Sequence, residues 1–324
     1  ILLSMVVFAT APFLYLLVAT PGQLVLVRIY HGLATAILGP VAMAAVADTY
    51  QAGRGERMAW YSSATMVGRF VAPSVGGLLI MGNDFHWVYL GCGVAGVLAL
   101  VASLRWQSSL QPVAPRETAP KRTLGASWAT MRGELGVVLR NKDILLTSLM
   151  EAAQYFAFGA VETFLPLYLK GIGYSAWEIG PLFTAQILVT AATKPALGRL
   201  SDRWGRKHFI AAGLLSGAAV VAAMPFTTNY WALMVLIGVF GLGVAAVTAS
   251  TSALVSDLSR ASSSGSALGV LSSIMDVGHS SGPAVVGFLV VYWHYGPAFA
   301  LVAGVLVVGA VLFYTLVTDP TAKR

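Results

Sequence analysis

Apolar runs of membrane-crossing length, cut by short polar breaks, fill most of the chain. Runs of about 18 residues or more are the mark of a membrane span. Ten can be drawn, over 1–20, 22–47, 58–81, 85–104, 144–169, 175–197, 208–227, 231–256, 265–291 and 294–317. The breaks carry turn chemistry, as in Thr20-Pro21-Gly22, Gly82-Asn83-Asp84 and Thr227-Thr228-Asn229. The pattern predicts an all-α integral membrane protein of about ten transmembrane helices.

Composition agrees. Hydrophobic residues make up 57% of the 324 positions, charged residues 10%, and the mean hydropathy is +0.77. So few polar groups could not cover a water-soluble surface, so lipid is the solvent the chain is built for.

A net charge of +7 is compatible with nucleic-acid binding, but its placement points elsewhere. Arg54, Arg57, Arg105, Arg116, Lys121, Arg122, Arg132, Arg140, Lys142, Arg199, Arg203, Arg206, Lys207, Arg260, Lys323 and Arg324 all stand on alternate connections, 16 of the 20 basic residues on one side. The opposite connections carry only Lys170, and Arg28, Arg69 and Lys194 fall within spans. By the positive-inside rule the basic side is cytoplasmic, which places both chain ends there in a cell (inner or plasma) membrane. Cys92, the one cysteine, allows no intrachain disulfide. Ile1 opens in apolar sequence without a basic n-region or a small-residue cleavage site, so no signal peptide is read.

Residues 106–142 interrupt the pattern with proline and charge, and predict a cytoplasmic linker. Within it Trp128, Met131, Leu135 and Val138 recur at helical spacing beside Arg132 and Arg140, which fits either a helix on the membrane surface or a solvated loop. The expected division is a four-span N-terminal bundle over 1–105, the linker, and a six-span C-terminal bundle over 143–324. The flanks resemble each other: Asp48 aligns with Asp257, Gly68 with Gly278, Pro73 with Pro283 and Gly77 with Gly287, allowing one residue of slippage. Two parallel copies of one bundle is a known transporter plan.

The stretch Gly198-Arg-Leu-Ser-Asp-Arg-Trp-Gly-Arg-Lys207 packs five charges into ten positions between two apolar runs. It matches the loop signature G-x-L-[AS]-D-R-x-G-R-[RK] of the major facilitator superfamily, which the chain resembles throughout. Arg28-Ile-Tyr-His31-Gly32 resembles that family's R-x-x-[QH]-G signature. Gly68-Arg-Phe-Val-Ala-Pro73-Ser-Val-Gly76-Gly77 resembles its G-x-x-x-G-P-x-x-G-G signature, with Ala72 in place of a glycine. The last pattern is associated with drug:proton antiporters. The resemblance reads the chain as family spans three to twelve, with two more expected ahead of Ile1. It also implies that Asp202, Arg203 and Arg206, with Asp257, form a gating latch. Gly198 and Gly205 permit close backbone approach, and Asp202 is expected to cap the following turn. The other reading of these charges is that they only anchor topology, and that reading is preferred for Arg199 and Lys207.

Charges inside spans cost ~2.5–3.5 kcal/mol each on insertion scales, so they call for a reason. Arg28, with His31 nearly a turn on, is expected in proton coupling or gating, or as a snorkelling anchor. Glu151, Tyr155, Phe158 and Glu162 share one helical face bordered by Gln154, and that face is expected to line a central cavity. Glu151 would carry protons or contact a cationic solute; Glu162 would either join it or simply be hydrated. Ser272, Asp276, His279 and Ser280 form a second polar stripe, with Asp276 and His279 as a proton switch or a structural pair. Arg69 is a candidate to neutralise one of these acids, Lys194 is expected to snorkel, and Gln186 to line the cavity. Gly32, Gly68, Pro73, Gly76, Gly77, Gly282 and Pro283 are expected to set helix packing and hinges.

No G-x-x-x-x-G-K-[ST] loop, H-E-x-x-H pair or Cys-x-x-Cys pair occurs, so neither ATP-driven pumping nor a metal site is expected, and no enzyme. The expectation is a monomeric secondary transporter without cofactors, surrounded by lipid and taking protons and a small solute, most like proton-coupled efflux. An importer or uniporter of a sugar or other metabolite is the alternative within the fold. A non-transporting membrane sensor is the alternative outside it.

Overall fold

A computed structural model describes residues 1–49, 54–80, 84–109, 136, 141–259 and 264–317. Among these residues there are ten α-helices and no regular strand. They are α1 (Leu2–Leu16), α2 (Pro21–Thr49), α3 (Arg54–Leu79), α4 (His86–Ser109), α5 (Lys142–Gly171), α6 (Ala176–Trp204), α7 (Arg206–Ala223), α8 (Tyr230–Leu258), α9 (Ser264–Trp293) and α10 (Tyr295–Leu316). Seven of them (α2, α4, α5, α7, α8, α9 and α10) contain a stretch long and apolar enough to cross a membrane. The other three fall short of that measure: α1 has 15 residues, and α3 and α6 are diluted by polar and charged positions. Most of the linker expected over 106–142, including its surface helix, lies outside the described residues, although α4 runs on to Ser109.

The helix ends follow from local chemistry. Asn141 accepts the backbone N–H of Asp143 and of Ile144 at the start of α5 (3.1 and 3.2 Å). Asn229 does the same for Ala232 at the start of α8 (3.1 Å). Ser175 and Glu178 form a reciprocal capping box on α6. The charged signature is therefore less of a loop than its composition suggests. α6 continues through Gly198 and Asp202 to Trp204, and only Gly205 breaks the helix before α7 starts at Arg206. Gly205 has φ 92°, a left-handed conformation that a side chain would strain.

The chain divides into two compact units, Ile1–Lys121 and Arg122–Arg324. In the first, α1 packs against α4 and α2. Gly96 admits the backbone of Phe8 and Ala9, which would lie 2.6 and 2.8 Å from an added Cβ. In the second, α5 packs against α9, α6 against α8, and α7 against both α8 and α10. Leu165, Leu182, Leu214, Phe240, Phe299, Leu306 and Phe313 are fully buried at its centre. Because lipid tails are as apolar as these side chains, association relies on close fit more than on the hydrophobic effect.

The α5–α9 seam shows how close that fit is. A Cβ on Gly278 would strike the backbone of Ala152, one on Gly282 the carbonyl of Phe156, and one on Gly159 the carbonyl of His279. Pro283 is half-buried in the same helix. The glycines expected to do this in the first unit behave differently. Among the described residues, Gly32, Gly68 and Gly76 have nothing within 4 Å of where a Cβ would stand. Gly77 is buried and Pro73 half-buried within α3.

Candidate functional site

The stripe Glu151, Tyr155, Phe158 and Glu162 on α5 meets more than one neighbouring helix. A 30-residue helix with neighbours on several sides turns successive positions toward different partners, and the stripe divides between two seams.

On the first seam Glu151 is 5% exposed and turned into the bundle rather than onto an open face. Its Oε2 is hydrogen-bonded to the hydroxyl of Thr251 on α8, which is itself fully buried. Lys194 of α6 is the basic group whose field reaches this carboxyl, and it is exposed, as a snorkelling lysine should be. One turn along α5, Gln154 is fully buried, with its amide head against Gly217 of α7: an added Cβ there would lie 3.5 and 3.6 Å from Oε1 and Nε2. Among the described residues, neither amide atom of Gln154 has a hydrogen-bond partner. The same is true of the buried hydroxyls of Thr248 and Ser250 on α8. Gln186, expected to line a cavity, is instead 2% exposed in the α6–α8 seam. Its carbonyl accepts the Thr190 hydroxyl (2.8 Å) and stands where a side chain on Gly241 would go.

On the second seam Glu162 pairs with His279 of α9 (Oε2 to Nε2, 3.2 Å), with both side chains about half exposed. The rings of Tyr155 and Phe158 flank the imidazole, at centroid distances of 6.0 and 5.6 Å. The pairing of His279 with Asp276 is thereby corrected: the tight α5–α9 crossing presents the imidazole to α5, and Asp276 remains exposed. Asp276 lines an open depression together with Val277, Ser280 and Ser281. By its letters, Gly278-His-Ser-Ser-Gly282 also fits the Gly-x-Ser-x-Gly pattern of nucleophile elbows. It lies in uninterrupted helix with both glycines seated on α5, so it forms no strand-to-helix elbow.

At the α6–α7 junction, Nη2 of Arg206 bridges Asp202 and Asp257, each at 3.0 Å. Asp202 does not cap α7, because α6 is still helical there and its carboxylate meets Arg206 four residues on. Arg203 stays exposed outside this bridge, and a Cβ added at Gly198 would meet Ala249 at an ordinary 3.8 Å. In the first unit, Arg28 is exposed and lies over the ring of Tyr15 (5.7 Å). His31 faces the same tyrosine hydroxyl at 3.4 Å, edge-on to Phe8.

Sequence reasoning missed Thr251, Thr248 and Tyr15. For the threonines a signal was present: Thr248-Ala-Ser-Thr251-Ser252 is a polar cluster inside a strongly apolar span. Nothing comparable marks Tyr15.

The family model described as Major Facilitator Superfamily matches residues 1–185 and 172–324. Among curated proteins, the chain is similar to the multidrug resistance protein MdtG of Proteus mirabilis (strain HI4320). The two are 30% identical over 175 residues, which is 52% of this chain and 43% of that protein. MdtG of Serratia proteamaculans (strain 568) is 32% identical over 176 residues, again 52% and 43% of the two lengths. The matched stretch thus spans less than half of these relatives. Among solved structures, a bacterial homolog of the human lysosomal transporter Spinster, in an inward-facing and unoccupied conformation, aligns with a TM-score of 0.76. Identity is 17%, covering 97% of this chain and 81% of that one, so the likeness speaks for the fold.

Proposed function

This chain belongs to the major facilitator superfamily, and from that premise we propose that it acts as a proton-coupled exporter of small lipophilic or cationic solutes by alternating access. The observation that carries the reading is Glu151, an ionisable side chain sealed in a helix seam against a single hydroxyl. A carboxylate at that depth costs too much to keep for packing, and an acid that can lose its proton when water reaches it is the economical explanation. Glu162 offers a different chemistry, a half-exposed carboxyl paired with His279, whose imidazole the rings of Tyr155 and Phe158 flank, and such a setting suits a lipophilic cation. Asp276, exposed on α9, is a second candidate. Arg28 and His31 would assist coupling from the first unit, and the Arg206 bridge would gate.

Similarity to proteins named for multidrug resistance supports export. The basic connections support a cell membrane with both ends of this chain cytoplasmic. The protein would work as a monomer without a cofactor. One proton moving down a 100 mV potential supplies ~2.3 kcal/mol, enough to drive a neutral solute several-fold uphill.

The test uses energised inverted membrane vesicles holding the full-length protein, its Glu151→Gln form and its Asp276→Asn form. Lipophilic cations should collapse the proton gradient in wild type and fail to do so in Glu151→Gln. Uptake of a metabolite in whole cells, with no gradient collapse by any cation, would replace export by the importer reading, for which the Ala72 departure leaves room.

A further inference from the structure

The Thr251 hydroxyl has one proton and more than one acceptor. Its Oγ1 lies 2.9 Å from the carbonyl of Val247, one turn back on α8, and is also hydrogen-bonded to Oε2 of Glu151. Donation to the carbonyl four residues back is the ordinary bond of a helical threonine, and at 2.9 Å it is well formed. If the hydroxyl proton is spent there, the second contact needs a proton from the other side, and only a protonated carboxyl has one to give. The alternative assignment, Thr251 donating to an ionised Glu151, leaves the Val247 contact without a proton. It also leaves a carboxylate in a seam where, among the described residues, no basic side chain forms an ion pair with it.

We infer that Thr251 is a positioning residue that reads the protonation of Glu151. When the acid is neutral, its O–H donates to Thr251 Oγ1 while the Thr251 hydroxyl donates to Val247. When the proton passes to water on the open side, the hydroxyl rotates and donates to the carboxylate, releasing the Val247 carbonyl. Proton transfer is thereby coupled to a backbone hydrogen bond of α8. The inference rests on the reading of Glu151 as the proton carrier. Charged groups on the helices packed against α5 are Glu178, Lys194, Arg199, Asp202 and Arg203 of α6, Arg206, Lys207 and His208 of α7, Asp257 near the end of α8, and Asp276 and His279 of α9. Of these, His279 is engaged by Glu162, and Lys194 is the one whose field reaches Glu151.

The experiment is infrared difference spectroscopy on the reconstituted full-length protein titrated across pH, read beside the pH profile of cation-driven proton release. Wild type should show the carbonyl stretch of a protonated carboxyl that vanishes in Glu151→Gln. In Thr251→Val, which keeps the shape and loses the hydroxyl, that band should move. The midpoint of proton release should rise by about one pH unit, because a hydrogen bond to the charged form is worth more than one to the neutral form. Thr251→Ser should match wild type in both. An unchanged band and midpoint in Thr251→Val would overturn the inference. So would the absence of any Glu151-dependent band in wild type, a result that stands even if the valine variant does not fold. Should Glu151→Gln still couple normally, the carrier reading fails separately, while the band still reports on the hydroxyl pairing.

Discussion

Glu151 and Glu162 stand three turns apart on one helix and occupy opposite environments. Glu151 is sealed between α5 and α8, its carboxyl meeting one threonine; Glu162 is half in the open, held by a histidine between two aromatic rings. Position on the helix does not distinguish them, since both belong to the stripe predicted to share a face. The neighbours do. α8 presents small and hydroxyl-bearing residues that close over Glu151, whereas α9 crosses α5 on glycines and leaves the Glu162 side chain half exposed. The buried acid is suited to hold a proton, because ionising it without water is expensive. The exposed one is suited to meet a cation, because its charge is already hydrated.

The largest expected effect comes from breaking the seam that holds Glu162. Gly278→Leu would push a side chain into the Ala152 backbone and should cost about 3 kcal/mol or more, seen as a large drop in the unfolding temperature of the detergent-solubilised protein. The contact of Glu151 with Thr251 of α8 is not part of that seam. Glu151→Gln comes next. Its amide can donate to Thr251 as the neutral acid does, so unfolding should stay within about 1 kcal/mol of wild type while proton coupling is lost. Glu162→Gln should spare coupling and weaken transport of lipophilic cations by roughly fivefold, about 1 kcal/mol, measured as apparent affinity in a competition assay. Asp257→Asn should have the smallest effect. It removes one arm of a bridge whose acids are well exposed, changing stability by no more than ~1 kcal/mol and slowing turnover without altering the coupling ratio.

Much of this was legible in the sequence. The helices are written in the length of the apolar runs, and the Arg206 bridge to Asp257 follows from two charged helix ends placed on one side. Gly205 is legible as a glycine because the backbone there turns left-handed. What the sequence does not carry is which helix lies against which face. His279 has Asp276 three residues away and Glu162 117 residues away, and proximity along the chain pointed to the wrong acid. The Gly278 and Gly282 crossing decides the matter by rotating the imidazole toward α5, a three-dimensional fact without a one-dimensional trace. For Glu151, amphipathic reasoning assumed that an acid inside a membrane protein must face water. Here the carboxyl meets a hydroxyl from another helix instead.

The most direct measurement of the central claim is proton release on adding a lipophilic cation to the solubilised full-length protein in weakly buffered solution. It compares wild type, Glu151→Gln and Glu162→Gln at saturating cation. The account predicts release from wild type and from Glu162→Gln, and none from Glu151→Gln. Release that survives in Glu151→Gln and disappears in Glu162→Gln would contradict it, making the exposed acid the proton carrier and the buried one a structural group.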